Sequence, residues 1–262
     1  MRSRAGTTSQ FSNRLKRQFA VRSADFNASA RWITDKELIR AHVALAGRPR
    51  GTALDLCCGT GQIGRALQAA GWEVRGLDIC GSMADISSRY FPVSVGRAEK
   101  LPFDPGSFNL VVCRQTFQFL DVSAALSEIS RVLAPGGVFV VSLTVPFSKV
   151  DYGWLREIHL VKQPLLKKFY TAQDLSREIK QGGFTVRSTR KLKVRESITN
   201  WMKYAPELDA GIREKVISMV GNSPAGYRKT RRVACRGGEV TEDWNWVLFK
   251  TVFGGKPGGK RA

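Results

Sequence analysis

Between residues 52 and 145 the chain alternates short apolar runs with stretches in which apolar residues return every three or four positions. TALDLCC (52–58), EVRGLDIC (73–80), VSVGRA (93–98), SFNLVVCRQ (107–115) and VFVVSLTV (138–145) are predicted strands. GTGQIGRALQAAG (59–71), SMADISSRY (82–90) and AALSEISRVLA (124–134) are predicted helices, the first opened by a glycine loop, and PGG (135–137) is a predicted tight turn. Strands separated by helices of about ten residues imply a parallel sheet with right-handed crossovers, and therefore an α/β fold.

The flanks are patterned differently. Within the first 24 residues, Phe11, Leu15 and Phe19 recur at four-residue spacing among arginines and serines, with no acid. Residues 1–26 are read as a basic flexible arm or a first helix; an organellar transit peptide is the competing reading. Trp32, Leu38, Ile39, Val43 and Ala46 then keep helical spacing until Gly47, predicting one helix. Beyond Pro146 come a helix over 171–183 capped by Thr171, a strand over 184–194, helices and loops over 197–235, and a closing strand over 243–253. The expected organisation is one domain over 27–253, with a core at 51–145, a cap and substrate region at about 146–235, and a basic tail at 254–262.

Composition narrows the setting. At 262 residues and 43% hydrophobic content the chain can bury a proper core. No window approaches the roughly 18 apolar residues of a membrane span, and no signal-like run follows the start, so a cytoplasmic protein is expected, with mitochondrial or other organellar import as the eukaryotic alternative. The five cysteines (57, 58, 80, 113 and 235) are an odd number, mostly on strands, and imply neither a disulfide framework nor a metal site. The net charge of +20 is uneven: residues 51–145 hold 7 Lys/Arg against 8 Asp/Glu, residues 1–50 hold 11 against 3, and residues 146–262 hold 24 against 11. The positive surface is thus a property of the flanks, separate from the core's chemistry.

The loop Gly59-Thr60-Gly61-Gln62-Ile63-Gly64 satisfies the dinucleotide fingerprint. Asp55, four residues before it, discriminates between ligands: a carboxylate under the helix start repels a pyrophosphate and attracts an ammonium and a sulfonium, both of which S-adenosylmethionine carries. Asp78 ends the second strand, where a carboxylate accepts the hydroxyls of a ribose. No Tyr-x-x-x-Lys pair of the short-chain reductase kind is present.

Four blocks in order, ALDLCCGTGQIG (53–64), GLDIC with SM (76–83), GRAEKLPFDPGSFNLVV (96–112) and ISRVLAPGGVFVVS (129–142), resemble the class I S-adenosylmethionine-dependent methyltransferases, in particular the branch of ubiquinone and menaquinone biosynthesis. The resemblance implies a Rossmann-like, doubly wound seven-stranded sheet, its last strand (243–253) antiparallel between its neighbours, with helical cap elements. It puts Asp55, Gly59 and Gly61 at the methionine end of the cofactor, Asp78 and Ile79 at the ribose, and Ala98 and Glu99 near the adenine. Cys57, Thr60, Met83 and Arg114 complete the expected cofactor-binding set. The chain departs from the family at Cys57, where glycine is frequent, and at Arg97, where Asp or Asn is frequent and can accept from the adenine amino group as arginine cannot.

Methyl transfer from a sulfonium is an in-line displacement that asks mainly for alignment in a dry site. If the acceptor is a hydroxyl, a base helps, and of the two histidines His159 stands in the substrate region while His42 falls within a helix. Gln115 beside Arg114, just past the fourth strand, together with Tyr152, Tyr170 and Trp201, are the acceptor-facing candidates. The favoured function is methylation at oxygen or carbon of a small organic acceptor, of quinone-like, aromatic or carboxylate type. The basic flanks would then meet an anionic surface, an acidic carrier protein or a membrane-associated substrate. An RNA methyltransferase, for which nucleic acid would be the partner, and a non-catalytic cofactor-binding assembly protein are the alternatives.

Overall fold

The computed structural model describes residues 4–254, so the expected basic tail lies almost wholly outside the described residues. Among the described residues eight strands run as β1 (Thr52–Leu56), β2 (Glu73–Asp78), β3 (Val93–Val95), β4 (Phe108–Arg114), β5 (Leu133–Val145), β6 (Phe184–Ser197), β7 (Ala234–Arg236) and β8 (Glu239–Phe253). The helices are α1 (Arg4–Arg22), α2 (Phe26–Ser29), α3 (Arg31–Thr34), α4 (Lys36–Ala46), α5 (Gln62–Ala69), α6 (Gly81–Ser87), α7 (Val122–Val132), α8 (Lys149–Lys162), α9 (Ala172–Gln181), α10 (Ile198–Lys203), α11 (Ala210–Gly221) and α12 (Ala225–Arg231). None of the described helices is long and apolar enough to cross a membrane.

The sheet order is β3-β2-β1-β4-β5-β8-β6, parallel through β5, with β8 antiparallel to both β5 and β6. This is the expected Rossmann-like architecture, reversing direction between β1 and β4, where open α/β sheets form ligand crevices. It carries one strand more than expected: β7 folds back on β8 through the left-handed Gly237-Gly238 pair. Helices cover both faces. Leu126, Ile129, Leu175 and Ile179 of α7 and α9 pack on one side with Val111 and Phe139. Ile63 and Leu67 of α5 pack on the other with Val74 and Val140. Each fully buried aliphatic side chain contributes roughly 1.5–3 kcal/mol.

Two elements differ from their expected form. Residues 27–47 are three helices rather than one, because Ala30 is extended and Asp35 leaves helical geometry to cap α4, accepting from the Leu38 amide. The Pro135-Gly136-Gly137 turn lies inside β5, where the register slips between the Phe108–Leu133 and Leu110–Val138 pairs. Elsewhere local chemistry acts as read: Thr171 and Asp174 form a capping box on α9, and Gly47, at φ 84°, ends α4.

A third core lies beyond the sheet's carboxyl edge. Leu155 and Ile158 of α8 join Trp201 and Met202 of α10, Val216 of α11, and Trp244 and Trp246 of β8. Behind it Arg231, fully buried, pairs with Asp151 at 3.1 Å and Glu242 at 3.2 Å, and Tyr227 donates to Glu242. This network ties α8, α12 and β8 into one cap.

Candidate cofactor and acceptor site

A single cavity opens over the carboxyl ends of β1, β2 and β4. Its floor comes from the core: Asp55, Cys57, Gly59, Thr60, Asp78, Ile79, Met83, Ala98, Glu99, Arg114 and Gln115 all line it. The strands end here, so side chains at the last residues and the first loop positions turn towards the opening.

The turn after β1 is built on positive backbone angles. Gly59 and Gly61 have φ of 53° and 80°, which glycine adopts without steric cost. Cys57, at φ 58°, holds the same left-handed geometry with a side chain, which costs on the order of 1–2 kcal/mol and accounts for the glycine usual at that position in the resembling family. Gln115 is similarly left-handed at φ 56°, so two lining residues hold uncommon backbone geometry.

Where the loop amides go separates the candidate ligands. The Gly59 amide donates to Asp78 Oδ2 at 2.8 Å, the Gly64 amide to Asp55 Oδ2 at 2.7 Å, and the Gly61 amide to the Cys58 carbonyl at 2.9 Å. A pyrophosphate seated on a fingerprint loop needs such N–H groups free. In this chain two of them are already bound by the carboxylates of Asp78 and Asp55, so the loop offers acceptor oxygens where a pyrophosphate needs donors. A cationic sulfur nucleotide suits it and a dinucleotide does not.

Asp55 is 3% exposed, and burial raises its pKa to about 7, against the opposing pull of the Gly64 amide and the Arg114 charge. An incoming cation would stabilise its ionised form. Burial also raises the pKa of Asp78, while the amides of Cys80 and Gly59 lower it. Each Asp78 oxygen accepts one of these amides and keeps a second lone pair for a ribose hydroxyl. Glu99 is held by Arg97 at 3.3 Å and accepts from the Asp121 amide, so Arg97 takes part as a clamp on Glu99 and also donates to Ser12 of α1. The donor set of two acidic strand ends, small residues and an apolar Ile79–Met83 wall fits S-adenosylmethionine.

Residues 54–141 match the family model described as a methyltransferase domain. That segment, about a third of the chain, is what resembles a methyltransferase domain. An uncharacterized methyltransferase of Mycobacterium tuberculosis is 32% identical over 108 residues, 40% of this chain and 44% of that protein. The demethylmenaquinone methyltransferase of Chlorobaculum tepidum is 29% identical over 128 residues, 47% and 51% of the two chains. The chain thus matches about half the length of these curated relatives. Among solved structures, geranyl diphosphate C-methyltransferase of Streptomyces coelicolor, in complex with S-adenosyl-L-homocysteine, superposes with a TM-score of 0.58 at 16% identity, covering 84% of this chain and 77% of that one. The likeness shows a shared fold.

Around the matched segment the flanks close the cavity. Phe11, Leu15, Phe19 and Arg22 bring one face of α1 onto it, Phe26 and Trp32 follow, and His159, Lys162, Trp201 and Trp244 supply the far wall. Of the acceptor candidates, Trp201 and Gln115 line the cavity, whereas Tyr152 and Tyr170 do not. Tyr152 is exposed and meets Phe169 edge-on, and the Tyr170 hydroxyl donates to Glu178 on α9. Gly61 also stands off the lining: a Cβ there would meet Ser87 at 2.9 Å, so its place is the packing of the loop on α6. Gln115 spends its amide on Thr144, and Arg114 donates to the Trp32 and Ile33 carbonyls, which pins the segment after α1 over the strand ends.

His159 reaches the cavity among the rings of Phe169, Trp201 and Trp244. Burial, then the charges of Arg231 and Lys162, press its pKa down to about 3, leaving a neutral imidazole of low basicity. His42 is buried in α4 between the Leu38 carbonyl and Ser142 and serves the core. Among the described residues no group of His, Cys, Asp or Glu has a metal-binding arrangement, and the five cysteines are free thiols. Sequence reading missed the contribution of α1, Trp32, Lys162 and Trp244. The 11/15/19 spacing marked α1 as one-faced, but nothing local said which surface that face would cover.

Proposed function

We propose that this protein is an S-adenosylmethionine-dependent methyltransferase acting on a small organic acceptor. The observation that carries the reading is the commitment of the Gly59 and Gly64 amides to Asp78 and Asp55, which leaves a negative cradle at the end of β1. Bound S-adenosylmethionine would supply an activated methyl group, carried on sulfonium sulfur, to an acceptor lone pair or carbanion. Asp55 attracts the positive end, Asp78 orients the ribose, and Ile79, Met83 and Ala98 exclude water from the adenine side. Phe19, Phe26, Trp32, Trp201 and Trp244 form an apolar wall for the acceptor. His159, held neutral, orients a polar group by a hydrogen bond and is a poor proton store. A demethylmenaquinone methyltransferase among the relatives supports an organic, ring-bearing acceptor. The cavity's enclosed aromatic wall favours a small molecule over RNA, which would need an open basic groove.

The test is transfer of labelled methyl from S-adenosylmethionine into fractionated cell extract. Label in a low-molecular-mass organic fraction, reduced by Asp78→Asn, supports the reading. Label only in RNA, or binding of the cofactor with no labelled product in any fraction, contradicts it.

A further inference from the structure

The acceptor half of the cavity is walled mainly by aromatic rings, with Gln115, Gln118, His159 and Gln163 as neutral polar groups and two cations at one corner. There Arg22, from the last turn of α1, and Lys162, from the last turn of α8, both line the cavity, 7% and 2% exposed. One carboxylate serves the two of them. Glu207 lies outside the lining and accepts from Lys162 Nζ at 3.0 Å, while Arg22 Nη1 stands 3.8 Å away, beyond hydrogen-bond range. Arg22 Nε is buried without any partner. Arg231, the next cation behind His159, is already answered by Asp151 and Glu242.

A buried guanidinium with an unused N–H is costly unless something occupies it part of the time. The surroundings describe the missing group. The Arg22 guanidinium lies 5.7 Å from the ring centroids of both Phe19 and Phe26, and Lys162 Nζ lies 5.3 Å from that of Trp201. Two cations face the cavity from an aromatic wall, with one acid behind them.

We propose that the acceptor is an organic monoanion, a carboxylate on an apolar or aromatic body, whose charged group is bound by Arg22 and Lys162. This rests on the methyltransferase reading and gives it a substrate class. Arg22 offers a free donor and Lys162 shares its proton charge with Glu207, so an entering carboxylate gains charge-assisted hydrogen bonds in a dry site. Burial, with Arg22 close by, pulls the Lys162 pKa down to about 8, a penalty that an arriving anion relieves. Glu207 competes for the same donors and thereby tunes affinity. The two residues are specificity determinants, set apart from the reacting atoms.

The test is calorimetry on the full chain saturated with S-adenosylhomocysteine, using 2-naphthoate and its neutral isostere 2-naphthamide as probes. The wild type should bind the carboxylate about tenfold or more tightly than the amide. Arg22→Gln and Lys162→Gln should each erase most of that preference while leaving S-adenosylhomocysteine affinity within about twofold. Glu207→Gln should strengthen naphthoate binding severalfold, a gain that a purely structural role for the corner does not give. If the two glutamine variants fail to fold, the wild-type preference and the Glu207→Gln gain decide the matter. Naphthoate binding no better than naphthamide, or a preference that survives both glutamine variants, overturns the proposal. So does a loss of S-adenosylhomocysteine affinity in those variants, which would assign the corner to the cofactor's own carboxylate. Absence of S-adenosylhomocysteine binding by the wild type is a separate outcome, seen before any probe is added, and it overturns the methyltransferase reading itself.

Discussion

Replacing Asp55 with asparagine separates what this carboxylate costs the fold from what it offers a ligand. An unfolded aspartate ionises near 3.8, whereas Asp55 in the folded chain ionises near 7 because burial opposes its charge. The folded state therefore holds the proton more tightly, so stability falls as pH rises from about 4 to about 7, and the full cost is present above 7. A difference of about three units, at 1.36 kcal/mol each, is about 4 kcal/mol. Asparagine keeps an oxygen for the Gly64 amide but must bury an NH2, at roughly 1–3 kcal/mol. The ligand-free Asp55→Asn variant should accordingly be about 1–3 kcal/mol more stable than the wild type at pH 8, and no more stable at pH 4.5, where the wild-type carboxyl is also neutral. The same change should weaken S-adenosylmethionine: opposite charges about 5 Å apart at an effective dielectric of 20 attract by about 3 kcal/mol, or roughly 100-fold in affinity. Urea denaturation at the two pH values and titration calorimetry at pH 8 read both effects. A variant less stable at pH 8 than at pH 4.5 relative to wild type, or one that binds the cofactor equally well, would refute the reasoning.

Three further outcomes follow from the same geometry. Gly64→Ala should destabilise the protein by about 1–3 kcal/mol in thermal unfolding, because its Cβ would fall 2.3 Å from Phe91 Cζ and 3.0 Å from Asp55 Oδ2; an unchanged midpoint would show that Phe91 swings away freely. Arg231→Met should cost about 3–5 kcal/mol by leaving Asp151 and Glu242 buried without their cation, and a variant as stable as wild type would refute a structural role for this ion pair. The His159 ring should show flat NMR chemical shifts between pH 5 and pH 8, since its pKa lies near 3; a titration step near 6.5 would return it to candidacy as a base.

The parallel core was legible because each of its elements carries a local signal. Period-two and buried apolar runs gave β1, β2, β4 and β5, and the glycine loop and acidic strand ends gave the floor of the cavity. What escaped is decided at a distance. Ala30 and Asp35 break the 27–47 helix because the first half of that run packs against β6, where Glu196 accepts from the Arg31 and Trp32 amides. Tyr170 carries the same aromatic signal as Trp201, yet Glu178 draws its hydroxyl to α9. Lys162 looks like any surface lysine until Glu207, 45 residues on, is brought to it. The charge asymmetry placed the positive surface on the flanks without distinguishing the buried Arg22, Lys162 and Arg231 from the many exposed cations.

On the proposed function, the acidic loop end selects a cationic sulfur nucleotide over an anionic redox dinucleotide. Titration calorimetry of the full chain with S-adenosylmethionine and with NAD at pH 8 tests it directly. Saturable binding of the sulfonium compound and no detectable heat from NAD is the predicted result; tight NAD binding with none for S-adenosylmethionine would contradict it.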